Sequence, residues 1–138
     1  MVVLDCCAAM AILEESPIGQ ALRASMLEGE RVVAPTVFVP ELGNAHWQTA
    51  KAGLLDPVMI EERINEGMDL VDEFVEDKGL IVEATQEALR YNHPVYDMLY
   101  LVLTRRNGAT LFTLDKKLAN ICCKAGVNCV ELVDWPVQ

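Results

Sequence analysis

No apolar run in this chain reaches the roughly 18 residues that a membrane-spanning helix requires, although apolar residues make up 52% of it. A membrane partner is therefore not expected. The opening Met1-Val2-Val3-Leu4-Asp5 has no basic flank and meets an acid at once, so it does not read as an export signal. The expectation is a cytoplasmic protein whose five cysteines stay reduced. Those cysteines lack the two-residue spacing of zinc sites: Cys6-Cys7 and Cys122-Cys123 are adjacent pairs, and Cys129 stands alone. Small buried apolar side chains are the better account of them. Histidine is scarce too. Only His46 and His93 exist, neither beside an acid of interest in sequence, and both are expected at the surface. Repeats, low-complexity stretches and linkers are missing, and 138 residues fit one domain, residues 1–138.

Basic residues are also few, and the net charge of −10 weighs against a protein that binds phosphate backbones through Lys and Arg. The deficit is local. Between Asp56 and Glu87 eleven acids face only Arg63 and Lys78, whereas the rest of the chain holds ten acids and nine bases. Acids that sit against metal ions would reduce the effective charge further.

What is present is an alternation of short β-branched runs with longer helical patterns, the mark of an α/β domain with a parallel sheet. Strands are expected at Val2 to Leu4, Arg31 to Ala34, Leu80 to Val82 and Thr110 to Leu114, with a fifth at Val127 to Leu132. Gly79, Gly108 and Gly126 stand before three of them, where helix caps and turns belong. Helices are expected over Ala8 to Glu14, Ile18 to Glu28, Val37 to Ala52, Pro57 to Val75, Ala84 to Tyr91, Pro94 to about Asn107, and Lys116 to Ala125. The first two are parted at Ser16-Pro17, and Thr36 is placed to cap the third.

Four acids fall where such a fold gathers ligands. Asp5 follows the first strand and Asp115 follows the fourth, at the carboxyl edge where open α/β sheets bind. Thr113, two residues before Asp115, points to the same side of its strand. Glu41 and Asp97 lie in the opening turns of two helices. Singly, each acid is explained as a turn residue, a cap or a partner of the helix dipole. Jointly, four carboxylates on one edge repel unless protonated or bridged by cations. Hard oxygen donors without a His or Cys cluster point to Mg²⁺ or Mn²⁺.

Asp5 after its apolar strand, Pro40-Glu41-Leu-Gly-Asn44-Ala, Tyr96-Asp97-Met-Leu-Tyr100-Leu-Val-Leu and Thr113-Leu-Asp115-Lys-Lys-Leu-Ala together resemble the PIN domain. The likeness is nearest to the VapC-type toxins of toxin–antitoxin pairs and spans Val2 to about Leu132. It implies an α/β/α sandwich around a parallel sheet of four to five strands, a homodimer, and divalent-metal-dependent cleavage of RNA. It also implies a catalytic and metal-binding quartet of Asp5, Glu41, Asp97 and Asp115, with Thr113 as a supporting hydroxyl. Many relatives carry Ser or Thr shortly after the first Asp, where this chain has Cys6-Cys7-Ala8. No role is assigned to a thiol there.

The chemistry expected is phosphodiester hydrolysis, in which one or two Mg²⁺ (or Mn²⁺) ions polarise the phosphate and lower the pKa of a water, paired ions lying roughly 4 Å apart. Asp5 and Asp97 are the leading ligands, with Asp115 close behind. Glu41 is a ligand or the acceptor of the water's proton. Lys116, Lys117, Arg105 and Arg106 are candidates for phosphate contact, the last two better explained as partners of a helix C-terminus. The expected partners are RNA, a cognate antitoxin and a second copy of the chain. A housekeeping RNA-processing nuclease and a non-catalytic PIN-like binding module are the alternatives. A phospho-acceptor receiver domain fits less well, because Asp5 has no acidic neighbour.

Overall fold

The computed structural model describes residues 1–130. Four strands form one fully parallel sheet in the order β3-β2-β1-β4: β1 (Val2–Leu4), β2 (Val32–Pro35), β3 (Glu73–Val75) and β4 (Thr110–Phe112). Seven α-helices accompany them among the described residues: α1 (Cys6–Leu13), α2 (Pro17–Ser25), α3 (Phe38–Lys51), α4 (Ile60–Asp69), α5 (Ile81–Tyr91), α6 (Val95–Asn107) and α7 (Lys116–Ala125). Among the described residues, no helix is long and apolar enough to cross a membrane.

β1 is central. Val2 pairs with Val32 on one side and Thr110 on the other. Its three residues alternate between the two faces of the sheet, yet none is more than 1% exposed. Helices therefore cover both faces, which is why a parallel strand reads as an unbroken apolar run. α6 packs on β1, β2 and β4, and Met98 through Thr104 are buried without interruption. A helix apolar on every side belongs inside.

From β1 the chain moves outward through β2 to β3, then returns to β4 on the far side of β1. The strand order thus reverses between β1 and β4, and the crevice at such a switch point is where open sheets take ligands. α6 leads into the start of β4, so its own first turn lies at the carboxyl edge of the sheet.

Three expectations about the elements are corrected. The third strand is Glu73–Val75, not Leu80 to Val82. Among the described residues it is an edge strand with β2 as its single neighbour; Phe74 meets Phe38 at 5.9 Å between ring centroids, while Glu73 is exposed. A half-covered edge needs little apolar character, so the richer Leu80-Ile81-Val82 run misled the assignment. There only Leu80 is buried, and Ile81 opens α5. Correspondingly, the acidic helix does not run from Pro57 to Val75: a short 3₁₀ turn at Pro57–Met59 precedes α4, which stops at Asp69. Finally, Thr36 does not cap α3. The N–H of Val37 donates to Asp77 Oδ1 at 3.2 Å, and Thr36 Oγ1 accepts from Asp77 N at 3.1 Å; α3 starts after Val37 with no side-chain cap. Of the expected fifth strand, Cys129 forms one parallel bridge to Leu111; Glu131 and Leu132 lie outside the described residues.

Candidate active site

Asp5 directly follows β1, whereas β4 stops at Phe112 rather than Leu114, so Asp115 comes three residues after it, beyond the end of the neighbouring strand. Each caps the helix that follows. Asp5 Oδ1 accepts from Ala8 N at 2.9 Å, and Asp115 Oδ1 accepts from Lys117 N at 2.9 Å and Leu118 N at 3.2 Å. The capping role that the sequence made plausible is therefore real, and it orients both carboxylates rather than excluding further use of them. The fully buried Thr113 accepts from Asp115 N at 3.0 Å, and its hydroxyl also steadies the Asp5 carboxylate. One side chain thereby ties the two strand ends together.

Glu41 and Asp97 arrive from helices. Both stand in first turns, of α3 and α6. The hydroxyl of Tyr100, one turn after Asp97, donates to Glu41 Oε1 at 2.6 Å. His93 Nε2 lies 2.6 Å from Asp97 Oδ2. Ligand atoms of His93, Asp97 and Asp115 all fall within 4.8 Å of one another, a spread that a single cation can span. The donor set is a suitable one: carboxylate oxygens with one imidazole, drawn from two separate elements and held in part by backbone caps.

The electrostatics point the same way. Burial pushes the Asp5 carboxyl up from 3.8 to about 6, against the lowering effect of hydrogen bonds from Thr113, Ala8 and Cys7, and the Asp97 charge adds to the rise. Burial also raises Glu41, with Asp97, Asp5 and Asp77 contributing and the Tyr100 hydrogen bond opposing. Burial and the facing Glu41 raise the Tyr100 hydroxyl, which keeps it a donor. Among the described residues, none of Asp5, Glu41 and Asp115 has a Lys or Arg ion pair. These acids line a cleft of about 670 Å³ whose walls include Asn44 and Gln48 but no Lys or Arg.

All five expected residues meet at this edge. Three others do so as well. Tyr100 was visible within its motif without a role. His93 was expected at the surface, yet its side chain is 12% exposed and lies against Asp97, with Asn92, at φ of +50°, bending the chain just before it. The i, i+4 interval from His93 to Asp97 was the available signal. Cys7 stands where a relative's hydroxyl is expected, and its thiol does donate to Asp5 Oδ1, at 3.0 Å.

Other expectations are revised. His46 is not at the surface; it is 3% exposed with Nδ1 at 2.9 Å from Leu42 O. The cysteines are not uniformly buried: Cys122 is, whereas Cys7 and Cys123 are exposed. Arg105 and Arg106 hold Glu83 at 2.8 and 2.9 Å, far along α6 from Asp97. Lys116 and Lys117, by contrast, are exposed directly beside Asp115.

The fold and the edge define an α/β domain with a carboxylate cleft at the switch point of a parallel sheet. The sequence profile of the PIN domain family matches residues 2–123, and the chain belongs to that family. PIN domains are generally metal-dependent nucleases that act on RNA, and they usually bind divalent ions. A comparison with characterised protein sequences gives no significant match. Among solved structures, the crystal structure of PAE2754 from Pyrobaculum aerophilum is similar, with a TM-score of 0.69 and 20% identity over 87% of this chain and 83% of that one. At that identity the likeness speaks for the fold.

Proposed function

We propose that this protein, a single PIN domain over residues 1–138, is a divalent-metal-dependent ribonuclease and the toxin of a toxin–antitoxin pair. The observation that carries the nuclease reading is the convergence of Asp5, Glu41, Asp97 and Asp115 on one cleft that offers no basic side chain to neutralise them. When bound, Mg²⁺ or Mn²⁺ supplies a Lewis acid for the phosphate and lowers the pKa of the attacking water. Asp5, Asp97 and Asp115 are the residues to hold one or two such ions. Glu41, raised and gripped through one oxygen by Tyr100, is suited to take the water's proton. Thr113 and Cys7 keep the Asp5 carboxylate in place. Water oxygen then attacks phosphorus, the bond to the ribose 3′-oxygen breaks, and that oxygen leaves with a proton from solvent.

The toxin assignment rests on the same absence of cations in the cleft. An antitoxin that inserts an Arg or Lys among the carboxylates matches it by charge-assisted hydrogen bonding. Exposed Trp47, Leu54 and Val58, on α3 and the turn beyond it, are available to a second copy of the chain. The cytoplasm is the compartment in which such a nuclease meets its RNA.

End-group analysis tests the chemistry. A cleaved oligonucleotide should carry a 5′-phosphate and a free 3′-hydroxyl, only with Mg²⁺ or Mn²⁺ present. A 2′,3′-cyclic phosphate formed in chelator would overturn the mechanism. Monomeric sedimentation at micromolar concentration, together with no antitoxin-like reading frame beside the gene, would shift the assignment to a housekeeping nuclease.

A further inference from the structure

The quartet of acids, all oxygen donors, matches Mg²⁺ as well as Mn²⁺. The structure adds a nitrogen. We infer that His93 is a direct ligand of the metal, sharing one ion with Asp97 and Asp115, and that this nitrogen tips the site towards a transition ion such as Mn²⁺ over Mg²⁺. The inference rests on the nuclease reading above and goes beyond the acidic quartet.

Three features carry it. First, His93 is largely enclosed: its side chain is 12% exposed. Its backbone N–H is fixed on Ala88 O at 3.1 Å, Asn92 bends the chain before it, and Pro94 restricts the chain after it. The ring is thus poised at the start of α6 rather than mobile on a loop. Second, Nε2 is the atom that faces the carboxylates, 2.6 Å from Asp97 Oδ2. A cation entering between them replaces the proton that the two atoms share, as metal binding ordinarily displaces protons from its ligands. Third, Asp115 joins from a different element, with its Oδ1 already engaged by the α7 cap and the mutual separations within 4.8 Å. A histidine present only to orient Asp97 would need no such approach to Asp115. Imidazole binds first-row transition ions far better than Mg²⁺, which demands hard oxygen donors and keeps its waters.

The chain holds only two histidines, and His46 is buried against Leu42 O on α3, so a nitrogen signal can be assigned. Electron spin-echo modulation of Mn²⁺ bound to the full-length protein should show imidazole ¹⁴N coupling, which changes to the ¹⁵N pattern when histidine alone is labelled. In parallel, Mn²⁺ and Mg²⁺ affinities of the wild type and His93→Gln should be measured by Mn²⁺ spin resonance with Mg²⁺ as competitor. Gln offers oxygen in place of nitrogen, so the Mn²⁺-to-Mg²⁺ affinity ratio should fall by about tenfold or more. Tight Mn²⁺ binding without histidine coupling, or an unchanged ratio in His93→Gln, overturns the inference and leaves the acidic metal site standing. The wild-type spectrum decides even if His93→Gln fails to fold. No Mn²⁺ binding by the wild type, or binding untouched by Asp97→Asn, overturns both this inference and the nuclease reading.

Discussion

The two ends of α6 treat acids in opposite ways. At its last turn Arg105 and Arg106 reach Glu83 on α5, and Arg105 also approaches the 4%-exposed Glu87 at 3.5 Å. The Arg105 guanidinium foremost, with Arg106, holds Glu83 below the usual carboxylate range. At the first turn Asp97 joins Asp5, Glu41 and Asp115, none of them ion-paired to a Lys or Arg among the described residues, and burial drives Asp5 and Glu41 upward. The difference is instructive. Where packing two helices is all that is required, the chain supplies cations of its own. Where it withholds them, the compensating charge must be exchangeable, which is what a metal ion or a partner's side chain provides.

The largest effect that tests this contrast is on catalysis. Asp97→Asn should reduce RNA cleavage to background and abolish the rise in melting temperature with Mn²⁺, while circular dichroism stays native. Metal-dependent stabilisation follows RT ln(1 + [L]/Kd) for one site, so a titration separates lost binding from lost folding. Retained cleavage would remove Asp97 from the site.

At the other end of the helix, Arg105→Ala should destabilise the protein by about 2–3 kcal/mol in urea. That is less than for a fully buried pair because the Arg105 side chain is 33% exposed and solvent screens it. Arg90 also remains, 3.7 Å from Glu87. Catalysis per folded molecule should not change. If stability were unaffected, the fixed-cation half of the contrast would fail.

Asp5→Asn should do the reverse. Asn still caps α1, but the substitution removes a charge that is buried at a cost. The folded carboxyl binds its proton near pH 6 and the unfolded one near 3.8, so the native state holds more protons across that window. Metal-free stability of the wild type should therefore decline as pH rises from about 4 to about 6 and level off above. At pH 7.5 the variant should be more stable by about 3 kcal/mol, and the advantage should vanish near pH 4. Urea midpoints in chelator at several pH values read this directly. A variant weaker than wild type at every pH would contradict it.

Smallest is Thr113→Val, which leaves Asp115 N–H and the Asp5 carboxylate without their shared hydroxyl. A loss of about 1 kcal/mol is expected, with Mn²⁺ affinity falling together with it. Unchanged affinity would confine Thr113 to structure.

Much of this was legible beforehand, for reasons that differ by region. β1 and β2 could be found because central parallel strands are buried on both faces and read as apolar runs. α7 could be bounded to the residue, since Asp115 caps one end and Gly126, with φ of +70°, the other. β3 could not, because an edge strand with an exposed Glu73 carries almost no such signal and abuts an amphipathic helix. Thr36 was misread for a related reason: its partner is Asp77, 41 positions along the chain, which no local pattern announces.

The sequence by itself determined the alternation of strands and helices, the placement of two acids at strand ends and two in helix first turns, and the concentration of negative charge between Asp56 and Glu87. Each of these depends on neighbours within a few residues, through burial periodicity and capping. Only the tertiary structure decided that the acids lack cations while Glu83 and Glu87 have them, that Tyr100 grips Glu41 across 59 positions, and that His93 and Asp115 approach the same point. Those outcomes rest on the strand order reversing beside β1. That reversal brings chain segments a hundred residues apart to one crevice, and nothing in local propensity encodes it.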